Sequence, residues 1–164
     1  MTFVLFAVLA CIGCDQASKH LARHALRGSP VSILHDAVRF ELVENNGGFL
    51  SLGVRFSDGP RHLFFLILVP LVLVGVVVKA LRSRHTDTAR LLALSLVLGG
   101  GAGNLLDRIT NHGAVIDFIS LGIGPWRSGI FNLADVAILV GLIAYLLRGR
   151  GECARPEPNP DVAT

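Results

Sequence analysis

The chain has 164 residues, enough for one domain. Apolar residues make up 52% of it and charged residues only 16%, against roughly a quarter charged in a soluble domain, and mean hydropathy is +0.60. The composition points to a membrane as solvent, and a net charge of +3 lacks the dense basic face that nucleic acid requires.

The first element is an apolar run from Thr2 to about Ala17, TFVLFAVLACIGCDQA. With a few flanking residues it reaches the roughly 20 that span a bilayer as helix. Its start lacks the basic residues of a signal peptide. Val8-Leu9-Ala10-Cys11 looks like a lipoprotein cleavage box, but the chain as a lipoprotein would leave three later apolar segments without a role. Cys11, Cys14 and Cys153 are odd in number, which argues against a disulfide framework. Cys11 and Cys14 have no second pair to complete a zinc site, so they read as small apolar helix residues.

A link of about 40 residues follows, from Lys19 to Arg61. Val31–Leu34 and Val38–Val43 read as strands, and Gly47-Gly48 as a turn. The second apolar segment is Leu63–Val78, in which Pro70 requires a neighbour to satisfy the freed carbonyl. The short link Lys79–Arg90 is basic. The third segment runs from about Leu91 to Leu106, and the fourth from about Ile130 to Leu147, separated by a mixed link, Asp107–Gly129. The polar, proline-bearing tail reads as disordered.

Four spans put the first and third links on one side and both termini on the other. The basic second link argues for the cytoplasm on its side, yet Lys19, Arg23, Arg27, Arg55 and Arg61 lie opposite, so charge alone does not fix orientation.

Ionisable groups inside membrane helices are costly and mark function by default. Asp15 lies near the end of the first helix, Asn104, Asp107 and Arg108 at the end of the third, and Asn132 and Asp135 at the start of the fourth. They converge on one membrane face, which Asp117 can reach from its link. A capping or interfacial role fits Asp107, beside a snorkelling Arg108. It fits Asp15 moderately, since Lys19 stands one turn away and can pair with it. It fits Asp135 poorly, because only apolar residues flank it. Asn104 reads equally as a helix-to-helix hydrogen-bonding residue, and Arg108 as a headgroup anchor. The sequence has no His-Glu-x-x-His helix, Gly-x-Ser-x-Gly elbow or phosphate loop, and Ser18 and Lys19 are too close in sequence to share a helix face. Paired carboxylates remain. Two held close share a proton, and the charged one can activate water. No metal or cofactor is expected.

Five islands, read together, resemble the lipoprotein signal peptidase (signal peptidase II) family: Asp15-Gln16-Ala17-Ser18-Lys19, the segment Glu44–Gly53, GGGAGNLLDR at Gly99–Arg108, Val115–Ile119 and Phe131–Asp135. The resemblance implies an all-α membrane bundle of four transmembrane helices with a small extracytoplasmic β-rich cradle. A peptidase domain would cover 1–150, with the cradle at about 25–61, a flap at about 109–129 and a cytoplasmic tail at 151–164. Asp117 and Asp135 would be the catalytic dyad. Asn45, Gly47, Asn104, Arg108 and Asn132 would position substrate or dyad, and Asp15 and Lys19 would support the site. The implied substrate is a diacylglyceryl-modified prolipoprotein, cut before its lipidated cysteine at the extracytoplasmic face of the bacterial inner membrane. The enzyme would be a monomer, in contact with phospholipid and sensitive to globomycin-type cyclic peptides. Gly48 and Phe49 stand where many members have alanines, and the family's basic residues before the first helix are absent.

Overall fold

The computed structural model describes residues 2–46, 67–78 and 87–152. Helix α1 covers Thr2–Ala25, strand β1 Val31–Ile33, β2 Val38–Asn45, α2 Ile67–Val78, α3 Thr88–Thr110, β3 Val115–Ile123, β4 Trp126–Arg127 and α4 Leu133–Glu152. Among the described residues, α1 and α3 are long and apolar enough to cross a membrane, and α2 is a shorter apolar helix.

Helices α1 and α3 outrun their apolar runs, and polar residues shape the ends of α1, α3 and α4. In α1, Lys19 bonds back to Asp15 one turn earlier, which carries the helix past the apolar stretch to Ala25. Asp87 caps α3, its carboxylate accepting from the Arg90 amide at 2.6 Å. A reciprocal cap opens α4: Asn132 Oδ1 accepts from the Asp135 amide at 3.0 Å, and Asp135 Oδ2 accepts from the Asn132 amide at 3.2 Å.

The helices approach closely along the glycine run of α3. A Cβ on Gly99 would sit 2.6 Å from Cys11 Cβ of α1, on Gly100 2.5 Å from the Ala134 carbonyl of α4, and on Gly101 2.6 Å from Leu73 of α2. Three successive glycines thus face three helices, and all three are buried. This is the small-residue contact expected of helices that gain little from hydrophobicity among lipids.

The two expected strands of the first link are present, ending at Ile33 and Asn45. The mixed third link supplies the longest strand, β3. The sheet is antiparallel throughout, in the order β1-β2-β3-β4. An irregularity between Phe40 and Val43 shifts the register so that Val43 pairs with Asp117 and Asn45 with Val115. The turn from β1 to β2 holds Leu34, His35 and Asp36 in left-handed backbone conformations, which cost energy for residues with side chains. Asp36 latches it, receiving Ser32, Arg39 and Arg127. Gly47-Gly48, the start of the second apolar segment, most of the basic second link and the tail beyond residue 152 lie outside the described residues.

Candidate active site

The ends of α1, α3 and α4 meet the inner end of β3 around one buried cation. Lys19 is 2% exposed. Its ammonium donates to Asp15 at 2.7 Å and Asn104 Oδ1 at 2.9 Å, and pairs with Asp107 at 2.9 Å. Each aspartate also accepts from a backbone amide. Asp15 Oδ1 accepts from the Ala134 amide in the first turn of α4 at 3.0 Å, where the helix N-terminus favours an anion. Asp107 Oδ2 also accepts from the Ile116 amide at 3.1 Å, beside Asp117. Gln16 donates to Asp107 Oδ1 at 2.9 Å. One lysine therefore ties three helices and the sheet together.

Above this base sit the two remaining carboxylates. Asp117 is 2% exposed; Asn132 Nδ2 donates to its Oδ1 at 2.6 Å, and Asn45 Nδ2 to its Oδ2 at 2.7 Å. Burial pushes its pKa up to about 6; the bond from Asn45 opposes this, and the negative charge of Asp135 adds to it. Asp135 is half-buried, and its Oδ1 accepts from Asn104 Nδ2 at 2.9 Å. Asn132, fully buried, reaches both carboxylates, one through its side chain and the other through its backbone amide. Arg108 donates to the Asn104 carbonyl at 3.1 Å, and its charge acts on Asp135, Asp117 and Asp107.

Asp15, Lys19, Asn45, Asn104, Arg108, Asn132, Asp117 and Asp135 thus meet in one place; Gly47 lies outside the described residues. Two expectations change. Asp107, expected to serve only as a capping or interfacial group, is 2% exposed and paired with Lys19. Asp135 does cap its helix, with one oxygen, which leaves the other for the site. Arg108 bonds back to the Asn104 carbonyl, one turn earlier on the helix that brings Asn104 to Asp135. Gln16 and Asp107 were not expected at the site. Asp107 follows Asn104 by three residues, and that helical spacing places it on the same face. Among the described residues no cluster of three or more His, Cys, Asp or Glu side chains is placed to hold a metal.

Apolar helices that close on a carboxylate-and-amide centre beneath a small sheet define a membrane-type helical bundle with a polar site at one end. Two solved structures described as bacterial membrane enzymes share the fold. One has a TM-score of 0.83 at 22% identity, covering 97% of this chain and 94% of that one. The other has a TM-score of 0.79 at 23% identity, with 90% and 92% covered. Residues 7–149 match the family described as Signal peptidase (SPase) II, and the chain belongs to that family. Among its relatives, a lipoprotein signal peptidase of Coxiella burnetii is 37% identical over 143 residues, 87% of this chain and 85% of the relative. One of Escherichia coli O157:H7 is 32% identical over 145 residues, 88% of this chain and 87% of the relative.

Proposed function

We propose that this chain is an aspartic endopeptidase of the bacterial inner membrane that removes the signal peptide from diacylglyceryl-modified prolipoproteins, cutting before the lipidated cysteine. Membership of the signal peptidase II family supports the substrate class. One observation carries the chemistry: Asn132 bonds both Asp117, through its side chain, and Asp135, through its backbone amide. Burial, which pushes the Asp117 pKa up to about 6, fits a carboxyl that holds a proton there.

Two carboxyl groups in one site share a proton because both cannot ionise. The ionised one draws a proton from water, and the protonated one donates to the scissile carbonyl. Water adds to give a tetrahedral diol, and the protons return as the amine leaves. Amide donors from Asn45, Asn104 and Asn132 hold the carboxylates in place before substrate arrives. Arg108, whose charge reaches both, offers a donor for the substrate backbone. Asp15, Lys19 and Asp107 form the rigid base.

In this reading the four apolar segments each span the membrane, both termini are cytoplasmic, and the site opens at the extracytoplasmic face. The enzyme works as a monomer among phospholipids, the β strands cradle the substrate, and a globomycin-type cyclic peptide blocks the site. The experiment compares cleavage of a synthetic prolipoprotein peptide with and without the diacylglyceryl group, in the presence and absence of a chelator. The proposal expects cleavage before the lipidated cysteine, dependent on lipid and indifferent to chelator. Equal cleavage of both peptides would remove the substrate assignment. Chelator inhibition reversed by zinc would remove the aspartic mechanism.

A further inference from the structure

Strand β3 has two unlike faces. Ile116, Phe118, Ser120 and Gly122 are all buried. The opposite face starts at buried Asp117 and opens outward, through half-buried Ile119 and Leu121 at 47% exposure to Ile123 at 86%. Pairing extends this face sideways, because residues opposite one another in an antiparallel sheet share a face. Leu121 pairs with Val38 and Val38 with Ile33; Ile119 pairs with Phe40 and Phe40 with Val31; Ile123 pairs with Trp126, which is 81% exposed. The outer end of the sheet therefore presents large apolar side chains where the catalytic proposal gives them nothing to do.

We propose that the β3–β4 tip, Ile123 and Trp126, flanked by Val31 and Ile33 of β1, is an anchor that enters the headgroup layer of the surrounding lipid leaflet and fixes the height of Asp117 relative to it. Three features select a lipid surface. The first is continuity. The sheet is bonded to α1 and α3 through Lys19, Asp107 and the Ile116 amide, and to the start of α4 through Asn132 and the Ile116 carbonyl, and Leu21 near the end of α1 and Ile109 near the end of α3 are exposed apolar residues. The second is residue type, since tryptophan with its part-polar ring prefers the membrane–water boundary. The third is charge. The tip from Leu121 to Phe131 has Arg127 and no acidic residue, Arg39 pairs with Ser120 of β3, and Arg23, in the last turn of α1, bonds Asn111 at the end of α3 and accepts from Arg27 through its carbonyl. Asp36 is the acidic residue of the neighbouring turn, and Arg39 and Arg127 already engage it. Such a surface suits anionic headgroups. The Arg127–Asp36 pair also clamps the hairpin to the β1–β2 turn, so the tip moves with the sheet. Ile123 lies six positions beyond Asp117, about 20 Å along a strand, so the depth of the tip sets the position of the carboxylate.

The inference rests on the membrane reading and not on the peptidase chemistry, and its test needs no substrate. Trp126 is the chain's only tryptophan, so intrinsic fluorescence reports on the tip alone. The full chain is placed in nanodiscs with a tryptophan-free scaffold, whose lipids carry bromine near the headgroup end of the acyl chain, near the chain terminus, or not at all. The anchor predicts blue-shifted emission, loss of most of it with shallow bromine, less loss with deep bromine, and poor quenching by aqueous iodide. Ile123→Asp should shift the emission toward that of tryptophan in water and raise iodide quenching while helix content stays unchanged. Water-like emission of the unmodified chain, open to iodide and blind to brominated lipid, would overturn the proposal. So would shielding that ignores lipid bromine and depends on protein concentration, which would mark a second copy as the occupant.

Discussion

Replacing Asp117 with asparagine should raise the stability of the folded protein, whereas the same change at Asp107 should lower it sharply. Both carboxylates are 2% exposed, but their partners differ. Asp107 pairs with the Lys19 ammonium at 2.9 Å, while both oxygens of Asp117 accept from neutral amides. Burial raises the Asp117 pKa from 3.8 to about 6, and a rise of about two units corresponds to about 3 kcal/mol against the charged form. The native state binds this proton more tightly than the unfolded chain does. The wild type therefore loses stability as pH rises from about 4 to about 6 and carries the full cost above that. Asparagine, neutral at every pH, escapes the cost. It has one oxygen where Asp117 has two, so either Asn45 or Asn132 meets an NH2 group, a loss of about 1–3 kcal/mol. The net change near pH 8 is a gain of about 0–2 kcal/mol, which turns into a loss near pH 4. Asp107→Asn leaves Lys19 short of a counter-charge and should cost about 3–5 kcal/mol. Thermal unfolding of wild type and both variants in detergent, near pH 8 and near pH 4, measures the contrast. Asp117→Asn destabilising as much as Asp107→Asn at the higher pH would refute the reasoning, because Asp117 would then be a structural charge like the others.

In the free enzyme the shared proton leaves at about pH 6, so kcat/KM should fall as pH rises through that value, and substrate binding, which excludes water, should move the same limb upward in kcat; a pH–rate profile decides it. Asn132→Ala removes the residue that touches both carboxylates and should cut kcat/KM by about a hundredfold or more, measurable on the lipidated peptide. Gly100→Ala places a methyl group 2.5 Å from the Ala134 carbonyl, next to Asp135, and should cost about 1–3 kcal/mol in thermal unfolding while lowering activity.

The helices were legible because apolar runs announce them, and their ends were not, because polar pairs such as Asp15–Lys19 and Asn132–Asp135 extend or start a helix without any hydrophobic signal. Strands β1 and β2 showed as β-branched clusters. β3 did not, since one face is buried for its whole length and the other passes from buried aspartate to exposed isoleucine, which blurs the alternation. The convergence of the polar residues on one face followed from helix direction alone. The partnership of each did not: Asp107 and Asp135 each follow an asparagine by three residues, and only packing gives one to Lys19 and the other to a cap and Asn104. Residues 44–53 carried part of the family resemblance, and of these the described portion places Asn45 on Asp117.

The most direct measurement is cleavage of a diacylglyceryl-modified prolipoprotein peptide by purified wild type, Asp117→Asn, Asp135→Asn and the double variant, each first shown to be folded. If the two carboxylates act as one proton-sharing unit, each single variant should fall to the same background rate as the double. Substantial activity in either single variant would contradict the account.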